Sequence, residues 1–373
     1  MNTIIGHFPI LLGDGTAVDI VPAMQKVVEY ALALDGKNIR WIPLVTGDKA
    51  LEATGARLPK EVLDVIRKNP VAIKAPMNTP TDDSDTSPNV MLRKALNLHA
   101  CVRPIKYYQG MNAAVKNYQG TDIVIFRENV EDLYSGVEFK VFDRETVDLI
   151  NTINTLRPNN QIPMDSGLSI KFTSVEGTRR IMNSALEYAK EHGRKKIAVV
   201  TKRNIMKATD LLFAQTCEQL FEEKKSEYPG ITLESVWLID NTTQKLVSIP
   251  NKFDMIVTLN LYGDILSDLC GGIVGGENGI GLLPGANIGD KCAIFEATHG
   301  TWPTEAGKNI ASPIALILSA KMMLEYIGEQ WFADLIESAV ENVLLDGRYE
   351  TLGTKETAEY MCKYMHKKRF ANI

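Results

Sequence analysis

Asp264 and Asp268 stand four residues apart in the stretch Asn260-Leu261-Tyr262-Gly263-Asp264-Ile265-Leu266-Ser267-Asp268. On a helix that spacing puts both carboxylates on one face. Held there, they repel each other unless a cation lies between them, and oxygen donors of this kind suit Mg²⁺ or Mn²⁺. The alternative is an acidic, solvated first turn that complements the helix dipole. Asp240 is a third carboxylate, placed where a strand predicted over 233–239 stops. Arg93, Arg103 and Arg127 offer a second chemistry. Arg127 follows the apolar run Ile123-Val124-Ile125-Phe126, and Arg93 shares a short helical pattern with Met91, Leu92 and Leu96. Converging, the three guanidinium groups make a bidentate receptor for carboxylates; apart, they are ordinary surface charges. Lys202 follows a strand predicted over 196–201, at the end where ligands gather in open α/β sheets. His299 taken alone is more often a hydrogen-bonded core histidine than a cofactor contact.

These groups need a scaffold, and the chain is patterned for one. Met255–Leu259 is a short apolar run that reads as a buried strand, turning at Asn260–Gly263 into a helix that begins at Asp264. Ile4–Leu12 is a first strand without a basic leader, running into the Gly13-Asp14-Gly15-Thr16 turn and a helix over Ala17–Leu34. Such an opening can cradle phosphate at a helix N-terminus. No GxGxxG accompanies it, so a conventional dinucleotide fingerprint is absent. Strands near 40–44, 71–74, 196–201, 233–239 and 293–296 alternate with helices near 60–68, 174–192, 211–225 and 312–326. That alternation predicts an α/β fold with a largely parallel sheet. Residues 137–172 alternate weakly between Gly, Pro and Asn interruptions, which predicts short hairpin strands in an arm. The glycine-dense stretch 273–290 predicts a long loop, and the tail over 331–370 predicts helices.

The 373 residues exceed one ordinary domain, and 45% hydrophobic content supplies a substantial core. A net charge of −5 without any block of like charges points away from nucleic acid and membrane surfaces. No apolar span is long enough to cross a bilayer. Cys101, Cys217, Cys270, Cys292 and Cys362 are scattered, without a CxxC, and are expected to be reduced core thiols of a cytoplasmic protein.

Taken together, the motifs resemble the β-decarboxylating dehydrogenase family, which includes isocitrate and isopropylmalate dehydrogenases. The resemblance runs nearly the whole chain: Gly13-Asp14-Gly15, Leu98-His99-Ala100-Cys101-Val102-Arg103-Pro104, Phe126-Arg127-Glu128-Asn129 and Tyr134-Ser135-Gly136. It continues through Lys202-Arg203-Asn204-Ile205-Met206-Lys207, Asn260-Leu261-Tyr262-Gly263-Asp264 and His299-Gly300-Thr301. Ser87-Pro88-Asn89 followed by Leu92-Arg93 is similar to the isocitrate branch.

The resemblance implies an isocitrate/isopropylmalate dehydrogenase-like two-domain fold with a largely parallel mixed sheet and a non-Rossmann nucleotide site. Residues 1–98 with 275–373 would form the large, cofactor-side domain. Residues 99–274 would form the smaller one, with the dimer interface and a clasp-like arm at 132–174. It implies a homodimer or higher homo-oligomer with shared active sites, Lys202 and Asp240 reaching across to the partner. The implied reaction is NAD- and metal-dependent oxidative decarboxylation of isocitrate to 2-oxoglutarate. The alternatives are the same chemistry on an isopropylmalate-, homoisocitrate- or phosphonate-type substrate, or a non-catalytic regulatory subunit.

By the same resemblance, Asp240, Asp264 and Asp268 hold Mg²⁺ or Mn²⁺, Lys202 is the base for the substrate hydroxyl, and Tyr134 protonates the enol carbon. Arg93, Arg103 and Arg127 clamp carboxylates, Ser87 and Asn89 read the third carboxylate arm, and Lys74 lies near the substrate. Asn78, Thr79, His299, Gly300, Thr301, Thr304, Glu305, Ala311 and Ser312 fall on the cofactor side. NAD is expected because Thr304 and Glu305 stand where NADP-dependent bacterial members place Lys and Tyr. A carboxylate beside the ribose repels a 2′-phosphate. Asp82-Asp83-Ser84-Asp85, Thr201, Arg203 and Trp302 depart from the family pattern and bear on the substrate more than on the reaction type.

Overall fold

The computed structural model describes residues 3–80 and 86–370, so the acidic run Asp82-Asp83-Ser84-Asp85 lies outside the described residues. Its strands are β1 (Thr3–Leu11), β2 (Lys37–Leu44), β3 (Val71–Lys74), β4 (Ala100–Lys106), β5 (Asp122–Glu128) and β6 (Glu138–Phe139). They continue as β7 (Leu168–Ser169), β8 (Lys196–Thr201), β9 (Thr232–Leu238), β10 (Met255–Thr258), β11 (Pro284–Ile288) and β12 (Ala293–Ala297). Ten of these form one sheet in the order β2-β1-β3-β12-β11-β4-β5-β10-β8-β9. The flanks β2-β1-β3-β12 and β5-β10-β8-β9 are parallel. The centre, β12-β11-β4-β5, is antiparallel. The fold is therefore α/β with a large, mostly parallel mixed sheet, as expected. The half from β2 to β11 draws on both ends of the chain, and the half from β4 to β9 draws on its middle.

Strand β10 shows why the apolar runs become central strands. All four of its residues are buried, between β5 and β8, which is the pattern of a parallel strand covered on both faces. Side-chain alternation then divides β4 and β5 between two faces. Phe126 turns to the helix Val175–Glu191, where it meets the Tyr188 ring edge-on at 5.2 Å. Arg127 turns the other way, to the helix Asn260–Gly275.

Three elements differ from the sequence-based expectations. The aspartate-bearing helix begins at Asn260, a turn earlier than expected. Asp132 Oδ2 accepts the Leu261 N–H at 2.9 Å, capping an otherwise orphaned helix amide from a distant loop. Gly263 lies inside this helix, where a Cβ would come within 2.6 Å of the Arg127 side chain, so the close approach calls for glycine. Residues 273–290 are not a long loop: the helix runs to Gly275, a 3₁₀ segment covers Gly276–Leu282, and β11 follows. Gly279 packs directly on the Gly271 carbonyl, where a Cβ would stand 1.9 Å away. The arm at 137–172 has only the short antiparallel pair β6–β7 as strand, and the helix Arg144–Leu156 is its longest element. Thr146 and Ile150 are its buried positions, four apart on one face.

The five cysteines are free and buried. Among the described residues no helix is long and apolar enough to cross a membrane.

Candidate active site

Strands β4 and β5 set Arg103 opposite Ile125 and Cys101 opposite Arg127. Arg103 and Arg127 are therefore diagonal neighbours on one face, pointing at the same helix. Asp264 lies between them. Arg103 Nη1 is 3.1 Å from Asp264 Oδ1, and Arg127 Nη1 donates to the same oxygen. Tyr134 donates its hydroxyl to Oδ2 at 2.5 Å, and the Arg127 guanidinium stacks 4.8 Å over the Tyr134 ring. Asn260 Oδ1 fixes Arg127 Nε at 2.9 Å. Asp268, one turn on, is 3.7 Å from Arg103.

The electrostatics separate the two aspartates. Burial works to raise the Asp264 pKa, but Arg127, Arg103 and the Tyr134 hydroxyl overcome it and hold the carboxyl below its ordinary range. Asp268 goes the other way: burial and the Asp264 charge push it up against the pull of Arg103. Asp268 is thus a carboxylate short of positive charge. Burial, then the neighbouring Arg103 and Arg93, lower Arg127 to about 10, which leaves it charged at neutral pH. Arg103 Nε and Arg127 Nη2 are buried without a hydrogen-bond partner among the described residues. Unmet donors on two converging guanidinium groups are what an incoming carboxylate would satisfy.

Arg93 joins this field through a second cluster, centred on Glu296 of β12. The pairing of β3 with β12 puts Lys74 beside Glu296. Lys74 Nζ is 2.7 Å from Glu296 Oε2, and Arg93 Nη2 is 3.3 Å from Oε1. Asn287 donates to Oε1 at 2.6 Å and accepts from Asn129 at 2.9 Å. Burial raises the Glu296 pKa, but Lys74 and Arg93 outweigh it and hold the carboxyl far below its ordinary value of 4.5. Neither Glu296 nor Asn287 was singled out by the sequence, since each meets its partners only after folding. Glu296→Gln should destabilise the protein by about 3–5 kcal/mol at neutral pH, because Lys74 and Arg93 then share a buried site without their counter-ion. A depressed native pKa contributes stability above the ordinary glutamate range and loses it as pH falls through the native value. Urea unfolding at pH 7 and in strong acid should therefore show the difference shrinking with acidification.

Close backbone packing assembles the cofactor-side residues. Asp14 is buried, and its carboxylate accepts the Asp48 and Asn78 N–H groups, each at 2.8 Å. Gly15, at φ +58°, lies against the Thr301 carbonyl, 2.0 Å from where a Cβ would sit. Thr16 N donates to that carbonyl at 2.8 Å, and the Thr301 hydroxyl donates to Asn78 Oδ1. Thr79 and Ser87 share a hydroxyl contact at 3.0 Å, with Asn89 Nδ2 3.5 Å from Thr79 Oγ1. The motif Gly13-Asp14-Gly15 was the available sign of this junction, and the part played by Asp14 was not drawn from it.

His299 Nδ1 lies 2.9 Å from the Gly300 carbonyl, and its Nε2 is buried without a partner among the described residues. Burial lowers its pKa, the Gly300 carbonyl opposes this, and Lys74 adds to the lowering. Thr304 is exposed, and Glu305 is 3.3 Å from Lys308. Ala311 is buried, its carbonyl accepting from Thr354 at 2.6 Å, and Ser312 Oγ lies 3.4 Å from the Ile314 N–H.

Lys202 and Asp240 form a separate pair, Nζ to Oδ1 at 2.6 Å. Asp240 is in the first turn of the helix Ile239–Ser248, its side chain largely exposed. Among the described residues no three His, Cys, Asp or Glu side chains gather to hold a metal within one chain. Asp264 and Asp268 still fit a divalent cation chemically, being oxygen donors on one helix face with Asp268 under-compensated. A cavity of about 1130 Å³, lined by Val102, Phe126, Tyr188, His192 and Lys321, lies on the opposite face of β4 and β5 from the two arginines.

The family model for isocitrate/isopropylmalate dehydrogenase matches residues 7–368. An isocitrate dehydrogenase (NADP) of Staphylococcus aureus is 37% identical over 371 residues, 90% of this chain and 87% of the relative. One of the same name from Streptococcus salivarius is 41% identical over 342 residues, 89% of this chain and 87% of the relative. The crystal structure of isocitrate dehydrogenase from Methylococcus capsulatus superposes with a TM-score of 0.82 at 37% identity, covering 98% of this chain and 99% of that one. The relatives' names overturn the expectation of NAD. The loop shows where the charge argument fails: Lys308 compensates Glu305, so Glu305 is not a lone carboxylate set against a 2′-phosphate. With the fold, the motif order and these matches all spanning nearly its full length, the chain belongs to the isocitrate/isopropylmalate dehydrogenase family.

Proposed function

We propose that the protein is a metal-dependent isocitrate dehydrogenase that uses NADP and works as a homodimer with shared active sites in the cytoplasm. One observation carries the reading: Arg103 and Arg127 converge on Asp264, which also accepts the Tyr134 hydroxyl, with buried N–H groups still unpaired. Such a site binds a polycarboxylate and keeps a phenol beside it. Arg93, Ser87 and Asn89 extend the clamp toward the third carboxylate, with Lys74 and the Asn78, Thr79, His299, Gly300, Thr301, Thr304, Glu305, Ala311 and Ser312 side toward the nucleotide. Asp264 and Asp268 of one copy, with Asp240 of the other, hold Mg²⁺ or Mn²⁺. When bound, the ion supplies Lewis acidity to the substrate's hydroxyl and carboxylate oxygens.

The chain's own groups move the protons. Burial first, then the bond to Asp264, raise the Tyr134 pKa, so the phenol is protonated at neutral pH and able to donate. Lys202 takes the hydroxyl proton from the second copy's substrate. Residues 1–98 with 275–373 would move as the cofactor-side domain against 99–274. Exposed Phe142 and Leu156 in the 132–174 arm, with Ile205, Val236 and Ile265 elsewhere, supply apolar surface for a second copy.

NADPH formation with isocitrate and Mg²⁺, stopped by excess EDTA, is the expected result. A preference for isopropylmalate, homoisocitrate or a phosphonate analogue would overturn the substrate assignment. Glu305→Gln should raise kcat/KM for NADP by about two- to fivefold, the scale of one exposed ion pair, by freeing Lys308. Steady-state kinetics at fixed ionic strength checks it, and an unchanged or lower value counts against a ribose-side place for Glu305.

A further inference from the structure

Lys171 follows β7, and nothing in its sequence surroundings marks it out. Its Nζ is 2.7 Å from Asp210 Oδ1, 3.8 Å from Asp132 Oδ1, and 4.6 Å over the Tyr262 ring. Both carboxylates belong to fully buried residues. Asp210 Oδ2 accepts the backbone N–H of Lys202 at 2.7 Å. Asp132 opens the 3₁₀ turn that carries Tyr134, in a left-handed backbone conformation with φ +64°. Its Oδ2 accepts the Leu261 N–H at 2.9 Å, at the start of the helix that carries Asp264 and Asp268. One ammonium thus holds together two carboxylates that each pin a segment bearing a group of the proposed reaction.

We propose that Lys171 is a positioning residue for the proposed reaction, fixing the Lys202 turn through Asp210 and the Tyr134 turn through Asp132. This rests on the isocitrate dehydrogenase reading. Lys171 itself touches none of Arg93, Arg103 and Arg127, so substrate binding is served by other groups. Non-Gly residues with positive φ cost strain and persist where surrounding contacts hold them. At Asp132 those contacts are its own N–H to the Phe172 carbonyl at 3.2 Å, the Leu261 amide on Oδ2, and the Lys171 charge, which faces Oδ1 at 3.8 Å as an ion pair without a hydrogen bond. Without Lys171, Asp210 and Asp132 face each other with no shared cation. The turns then relax by the fraction of an ångström to which proton-transfer geometry is most sensitive.

The test compares Lys171→Met with wild type in kcat and KM for isocitrate, counting turnover per site that binds NADPH in a fluorescence titration. The expected result is a fall in kcat on the order of ten- to a hundredfold, with KM within about twofold of wild type. Counting by bound NADPH separates this from a loss of folded protein. If Lys171→Met gives no folded protein, Asp210→Asn decides, since it keeps the shape of Asp210 and removes the charge that holds Lys171, while an amide oxygen still accepts from the Thr209 hydroxyl, 3.1 Å away. It should show the same split. Wild-type kcat per binding site in the deciding variant, or a loss confined to KM, overturns the inference alone. A wild-type protein inert toward isocitrate overturns the functional reading and this inference with it.

Discussion

Asp264→Asn lowers turnover with isocitrate by on the order of a hundredfold or more, the cost of losing a ligand to a Lewis acid. Asn keeps the size of the side chain and loses its charge, so three dependencies fail together. The proposed cation loses an anionic oxygen, Arg127 keeps its burial without its counter-charge, and the Tyr134 hydroxyl loses its strongest acceptor. Because Arg127 and Arg103 hold the Asp264 pKa down, this interaction supports folding above the ordinary aspartate range. It is lost as pH falls through the native value. The variant's stability deficit should accordingly be present at neutral pH and fade in acid. Turnover against Mg²⁺ concentration, with unfolding measured in parallel, separates the catalytic part from the structural one. Retained turnover in the Asn variant, or wild-type activity in excess EDTA, would falsify the metal assignment.

What was legible in the sequence follows the range of the interactions. The Asp264–Asp268 spacing is a local property, and the helix delivers it. The apolar runs of β8 and β10 likewise declare themselves because a covered parallel strand needs nothing but apolar residues. The start of the same helix was misplaced by a turn because its cap is Asp132, 129 residues away. Gly263 was read as a turn residue although it is a close-approach residue, a distinction that requires Arg127 to be in place. Glu296 carried no signal at all: its meaning comes from Arg93, 203 residues earlier, and from Lys74 on a neighbouring strand. The helix Arg144–Leu156 was missed because its polar Thr and Asn positions conceal a narrow buried stripe. The cofactor shows the same limit on a short scale. The Glu305 carboxylate was given more weight than the neighbouring Lys308, and the fold sets the two 3.3 Å apart.

Lys202→Met should abolish the oxidation step far more completely than it harms substrate binding, by about 10²–10⁴-fold in kcat, the range of general-base catalysis. The reasoning separates three jobs among three places. The carboxylate clamp lies on β4 and β5, where Arg103 and Arg127 are tied to Asp264 and Asn260 and not to Lys202. Lys202 sits instead at the end of β8, paired with Asp240, so its loss leaves the clamp intact and KM should move little. Tyr134 lies with the clamp, its phenol protonated, as the proposed donor for the later proton transfer to carbon. Tyr134→Phe should then slow protonation of the enol formed after CO₂ loss while sparing hydride transfer. Supplying the 2-oxo tricarboxylic intermediate directly bypasses the oxidation. The Lys202 variant should release CO₂ from it at a rate much nearer wild type than its rate with isocitrate. The Tyr134 variant should release CO₂ but take up solvent deuterium at the product carbon slowly. If Tyr134→Phe protonates the enol at the normal rate, the assignment of Tyr134 is wrong. If Lys202→Met handles isocitrate as well as it handles the intermediate, the base lies elsewhere in the site.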